Sequence, residues 1–103
     1  MRRWTIHDRH GDEIYLTEER WEHILEGHDE LNGRLDDLLD TLRYGQRRQE
    51  ALDPQRYHYR RAYDDLLYGF NHIVAVVVFS YDPSGGPNNF VATAWGAYIR
   101  PKE

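Results

Sequence analysis

Two histidines stand near the end of an acidic, amphipathic stretch, Leu16-Thr17-Glu18-Glu19-Arg20-Trp21-Glu22-His23-Ile24-Leu25-Glu26-Gly27-His28-Asp29-Glu30-Leu31. Imidazole titrates near neutrality, so a histidine at a helix end invites a proton-transfer reading. His23 and His28 are five residues apart, about 140° of helical rotation, so a regular helix cannot aim both at one group. His28 shares the face of Trp21 and Ile24 and is the better placed of the two. Further on, Tyr57-His58-Tyr59-Arg60-Arg61 reads as an alternating strand. Tyr57, Tyr59 and Arg61 then face one way and His58 and Arg60 the other, which makes His58 with Arg60 a second acid-base candidate. Thr93, sharing one face of a later strand with Val91 and Trp95, could offer a hydroxyl to an anion.

Each of these residues also has a plainer reading. His28 suits a helix end, bonded to a carbonyl and favoured by the dipole, and His23 suits a bond that pins the helix to a loop. His58 and Arg60 fit the solvated side of a half-covered sheet whose tyrosines pack beneath the helices. Threonine is common in strands for its β propensity alone. His7, Asp8, His10 and Asp12 are competent ligands lying close together, but their spacing matches no metal motif, and a polar turn explains them. No metal site is expected. Gly85-Gly86 lacks the strand-loop-helix setting of a phosphate cradle and reads as a hairpin connection.

The elements that must position these groups are legible from pattern. Thr17 is an N-cap, with Glu18 and Glu19 in the first turn of a helix that Gly27 ends or loosens. Leu35, Leu38, Leu39 and Leu42 recur at helical spacing, predicting a second helix over Asn32 to Tyr44 with Gly45 as its stop. Alternation then predicts strands over Arg47 to Ala51, Arg56 to Tyr63, His72 to Ser80 and Asn89 to Tyr98. Ile73 to Phe79 is apolar on both faces, as in a central strand, and short connections favour an antiparallel order. Arg3 to His7 and Glu13 to Leu16 suggest a strand or hairpin ahead of the helices.

With 103 residues, the chain has the length of a single domain, residues 1–103. It has no cysteine, which excludes disulfides and thiolate zinc sites and points to a cytoplasmic setting. No leader pattern opens it, and Ile73 to Phe79 is too short to cross a bilayer, so no membrane association is expected. Thirteen Lys and Arg oppose eighteen Asp and Glu, a balance unfavourable to casual nucleic-acid binding. The distribution is uneven. Asp12 to Asp40 holds eleven acids against Arg20 and Arg34, whereas Thr41 to Arg61 holds six arginines against Glu50 and Asp53. Arginine's planar fork suits bidentate phosphate contact, although arginine preference also follows from a GC-rich genome.

The helix stretch above, with Leu35-Asp36-Asp37-Leu38-Leu39-Asp40, Tyr57-His58-Tyr59-Arg60-Arg61 and Phe90-Val91-Ala92-Thr93-Ala94-Trp95, resembles in order and spacing the phage nuclease group named for Barnase, EndoU, colicin and RelE, type 2 domain. The resemblance spans about Glu13 to Ile99. It implies an α+β fold, with N-terminal helices packed on one face of a four-stranded antiparallel sheet. It also implies a metal-independent endoribonuclease, of toxin or phage-associated kind, without cofactors. The 2′-hydroxyl of RNA would attack the adjacent phosphorus, leaving a 2′,3′-cyclic phosphate, which requires a base, an acid and cations. Carried over by position, His28 and His23 match the helix histidines, Arg60 or its neighbour Arg61 the strand arginine, and Thr93 the polar residue of the last strand. Substrate contacts are expected of Arg61, His58, Arg47, Arg48 and Tyr59. The expected partners are RNA and a cognate antitoxin or immunity protein. The alternative, prompted by the acidic total, is an inactive nuclease-fold module binding a protein through exposed tyrosines, Tyr57, Tyr59, Tyr63, Tyr68 and Tyr81. Convergence of His28, Arg60 and Thr93 in one cleft distinguishes the two.

Overall fold

A computed structural model describes residues 2–102. Strands β1 (Arg3–His7) and β2 (Glu13–Thr17) form a hairpin, followed by helix α1 (Glu18–Gly27), a 3-10 turn (Asp29–Leu31) and helix α2 (Leu35–Tyr44). Strands β3 (Gln46–Gln49), β4 (Arg56–Ala62), β5 (His72–Val78) and β6 (Phe90–Ala97) complete a sheet of order β1-β2-β6-β5-β4-β3. The architecture is α+β as expected, but the sheet has six strands and is mixed, not four and antiparallel. The N-terminal hairpin supplies the difference. β2 lies parallel to β6, where Tyr15 N–H donates to the Asn89 carbonyl at 3.0 Å and Asn89 Nδ2 donates to the Glu13 carbonyl at 2.9 Å. Short connections force antiparallel pairing only between sequence neighbours, and most of the chain separates β2 from β6.

Thr17 Oγ1 accepts from the Arg20 N–H at 3.1 Å, so the expected N-cap is in place. At the other end His28 caps α1 through its N–H to the Ile24 carbonyl, with φ −140° and ψ 71°. It therefore leaves the helical rotation and does not continue the face of Trp21 and Ile24, both buried. Gly33, at φ +78°, and the 3-10 turn delay α2 to Leu35, three residues after the expected start at Asn32. Gly45 ends α2 by close approach: a Cβ there would stand 2.6 Å from the Arg60 carbonyl oxygen, so only glycine lets the helix end abut β4.

Trp21, Ile24, Leu31, Leu38, Leu39 and Leu42 pack on one sheet face, over Tyr59 of β4, Ile73, Ala75 and Val77 of β5, and Val91 and Ala94 of β6. Among the described residues no α-helix covers the other face. β5 lies between β4 and β6 and is buried along both faces, including Val74 and Val76, as the apolar run predicts. Among the described residues no helix is long and apolar enough to cross a membrane.

Candidate functional site

The register of the sheet lines up two rows of side chains on its helix-free face. One runs Arg48, His58, Val76, Thr93, and the other Gln46, Arg60, Val74, Trp95. Thr93 reaches this face through an irregularity: Val76 pairs with Thr93 and Val77 with Val91, so Ala92 is an unpaired bulge residue. Alternation breaks there. Val91 turns into the core while Thr93 and Trp95 face out, which corrects the expectation that Thr93 and Val91 share a face.

The rows border a cleft of about 670 Å³, lined by Gln46, Arg48, Glu50, His58, Arg60 and Trp95 among others; Thr93 lies one strand beyond Val76 and is not part of its lining. His58 Nε2 is 3.4 Å from Glu50 Oε2, both half-exposed, and the His58 ring stands edge-on to Trp95 with centroids 6.2 Å apart. Arg56 Nε approaches the same carboxylate oxygen at 3.6 Å. Arg48 and Arg60 are exposed and, among the described residues, form no ion pair. The cleft thus presents a histidine-carboxylate pair between two uncompensated guanidinium groups.

The arginine next to Arg48 lives differently. Arg47 points to the helix side, donating to Asp8 Oδ2 at 2.9 Å and Asp12 Oδ2 at 2.6 Å, with its guanidinium over the Tyr57 and Phe79 rings. Tyr59 is fully buried and donates its hydroxyl to Asp8 at 2.6 Å. This corrects its place among the exposed tyrosines, and its hydroxyl is committed to a buried carboxylate. Burial alone would raise the Asp8 carboxyl, but hydrogen bonds from Tyr59 and from the Asp12 and His10 amides, with Arg47's charge, hold it below the ordinary 3.8. Burial and the Asp8 bond push the Tyr59 phenol up. Burial opposes the Arg47 charge, yet its bond to Asp12 and the Tyr59 and Asp8 contacts keep the guanidinium raised. Asp8 also accepts the His10 and Asp12 amides at 2.9 and 3.0 Å, organising the polar turn between β1 and β2. Among the described residues no group of three or more His, Asp or Glu could hold a metal ion.

The remaining candidates are scattered. His28 Nδ1 lies 3.5 Å from Glu30 Oε2, and that buried carboxylate accepts the Gly96 N–H at 2.8 Å. Gly96 alternates with the outward Trp95, so His28 is on the helix side of the sheet, away from Arg60 and Thr93. His23 is exposed on α1, 3.7 Å from Glu26. Arg61 leans on the Tyr44 and Tyr63 rings and donates to the Tyr63 hydroxyl at 3.3 Å, beside α2. The structure brings Arg48, His58 and Arg60 into one cleft, puts Thr93 in their row, and sends His28, His23, Tyr59 and Arg61 elsewhere; Arg47 is in the cleft lining, but its guanidinium is turned to Asp8 and Asp12. Sequence reasoning set Trp95 on one face with Thr93 but gave it no role, and missed Glu50 and His72 as members of this face. Glu50 continues the Gln46-Arg48 alternation by one step, so the same period-two count would have found it. Comparison with protein-family models, with curated proteins and with solved structures found no match.

Proposed function

We propose that the protein is a metal-independent endoribonuclease whose working surface is the helix-free face of the sheet. The observation that carries this reading is the His58–Glu50 pair placed between Arg48 and Arg60 in one cleft. In-line attack of a 2′-hydroxyl on the adjacent phosphorus forms the 2′-O–P bond and breaks P–O5′. Glu50 serves as the base that takes the 2′-hydroxyl proton, and His58 as the acid that donates one to the departing 5′-oxygen. Arg48 and Arg60 neutralise the charge that gathers on the phosphoryl oxygens. Trp95 offers an aromatic surface to a base. Those roles are complete with the chain's own side chains, and the product carries a 2′,3′-cyclic phosphate. The same roles assign the acid to His58 in place of His28.

Cleavage of total RNA in EDTA, with wild type, His58→Ala and Arg60→Ala side by side and the new ends mapped, tests the proposal. Wild-type-specific fragments ending in cyclic phosphate support it; fragments of equal yield from all three proteins overturn it. An enzyme of this kind working in the cell that makes it would be held by an antitoxin or immunity protein. The second reading is an inactive module that binds a protein. What favours it is that both helix histidines sit against carboxylates away from Arg60, while Tyr68 and Tyr81 project into solvent. Silence across RNA types supports that module.

A further inference from the structure

The cleft does not end at Arg60. A second hollow of about 530 Å³ shares Gln46, Arg60 and Ile99 with it and runs on to His72, Arg100 and Lys102. The C-terminal segment that walls this hollow is fastened. Asn71 Oδ1 accepts the Ile99 N–H at 2.8 Å and Asn71 Nδ2 donates to the Ile99 carbonyl at 2.9 Å. The bond pair fixes the chain one residue before Arg100, so two exposed cations are delivered to the hollow by a pinned backbone. Neither forms an ion pair among the described residues, and Asp64 is the carboxylate in the lining. His72 pairs across the strands with Ala62, two residues on from Arg60 and on the same face. Its Nδ1 meets Asn71 Oδ1 at 2.8 Å, and burial, then the Arg60 charge, press it below the ordinary 6.5. It therefore stands there as a neutral hydrogen-bonding group. From His58 to Ala62 along β4 is four residues, roughly 13 Å at the rise of a strand. One phosphate cannot span that length.

We infer that the two hollows form one track for single-stranded RNA, with Arg100 and Lys102 building a second phosphate subsite beyond the phosphate held by Arg48 and Arg60. The inference rests on the ribonuclease reading of the cleft and names the substrate as a strand of several nucleotides, not a dinucleotide. A groove lined with cations that tracks a backbone, with an aromatic ring for a base, is how single strands are held without sequence readout.

Fluorescence anisotropy with 2′-O-methyl oligonucleotides, which lack the attacking hydroxyl, tests it without turnover. Strands of two and six nucleotides are titrated at several salt concentrations against wild type, the Arg100→Ala/Lys102→Ala double variant and the charge-keeping Arg100→Lys/Lys102→Arg exchange. The double variant is expected to lose about tenfold in affinity for the longer strand, more than for the shorter. Its salt slope should fall by roughly 0.7, the contribution of one phosphate contact on a single strand. The exchange variant should keep the wild-type slope. If wild type binds the longer strand and the double variant matches it in affinity and slope, the second subsite is wrong and the cleft reading stands. If wild type binds neither strand at any salt, the ribonuclease reading fails and takes this inference with it.

Discussion

The two faces of β4 carry similar side chains and put them to opposite use. On the helix side Tyr59, with Arg47 paired to it across β3, closes on Asp8 and Asp12 in a network where every charge has a partner. On the helix-free side His58 and Arg60, with Arg48 across β3, leave two guanidinium groups without a carboxylate. Arg47 and Arg48 are neighbours in the chain, yet one is a structural cation and the other is free to meet an anion. Residue type and local charge density are the same for both. The strand's period of two separates them: the β1–β2 turn brings Asp8 and Asp12 to Arg47 on the covered side, whereas the open-face carboxylate, Glu50, pairs with His58 and Arg56 and leaves Arg48 without a partner among the described residues.

The largest expected effect tests whether chemistry lives on the open face. His58→Ala should lower RNA cleavage by a factor of roughly 10² or more, the usual size of a general acid contribution, with the unfolding midpoint little changed. His28→Ala should leave cleavage within about threefold, since its imidazole lies across the sheet beside Glu30. The reverse ranking, measured as kcat/KM on the same RNA, would move the site to the helix side and break the contrast drawn above.

A second prediction concerns the covered face. Tyr59→Phe removes the shortest neutral donor to a buried carboxylate and should cost about 1.5–3 kcal/mol of stability, the usual value of a hydrogen bond to a charged group. The sign of its pH dependence follows from Asp8, whose carboxyl is held below the ordinary 3.8 in the folded state. A depressed carboxyl stabilises the fold fully above its unfolded value and loses that contribution as pH falls through the folded value. Urea unfolding of wild type and Tyr59→Phe should therefore differ most at neutral pH and converge in acid below the ordinary carboxylate range. A gap that stays constant into acid would show that the phenol serves packing and not the Asp8 charge.

How far the sequence foretold this arrangement depends on which physical signal was involved. Thr17 and the leucines of α2 act through local rules of capping and helical period and fall where those rules put them, while Gly45 ends α2 as expected but for a distant reason, its close approach to the Arg60 carbonyl. The facing of His58 and Arg60 was equally local. The parallel β2–β6 pair was not legible, because it joins residues more than seventy positions apart through Asn89, and nothing near Tyr15 announces it. His28 was misplaced for a related reason. A backbone departure of one residue at the end of α1 changes which side of the sheet the imidazole reaches, and Glu30, its partner, is held by the N–H of the distant Gly96. Gly96 itself is demanded by packing: a Cβ there would come 2.5 Å from the Phe70 ring and 2.9 Å from Glu30 Cγ.

Trp95→Ala should have a smaller effect than the acid. If the indole supports a base, affinity for a single-stranded, uncleavable RNA should weaken by about 1–3 kcal/mol, with kcat for bound substrate changed less. His58 rests edge-on against this ring, so part of any loss would come from a wandering imidazole. Separate measurement of KM and kcat distinguishes the two: a fall confined to kcat would assign Trp95 to positioning His58, and a rise confined to KM to holding the base.

The smallest effect is expected at Thr93, and it bears on why the open face is built as it is. The bulge at Ala92 is what turns Thr93 outward while Val91 stays in the core. Without it, a strand of strict alternation carrying Val91 inward would carry Thr93 inward too, burying a hydroxyl beside Ala75 and Val77 at a cost that an unbonded polar group always incurs. The bulge therefore has a packing reason as well as a functional one, and Thr93→Val separates them. Valine keeps the shape and the β propensity of threonine and deletes only the hydroxyl. If Thr93 donates to a phosphate at the edge of the cleft, the variant should bind RNA about 0.5–1.5 kcal/mol more weakly at unchanged stability. If binding holds and stability is equal or higher, the bulge serves the core alone, and the working face narrows to Arg48, Glu50, His58, Arg60 and Trp95.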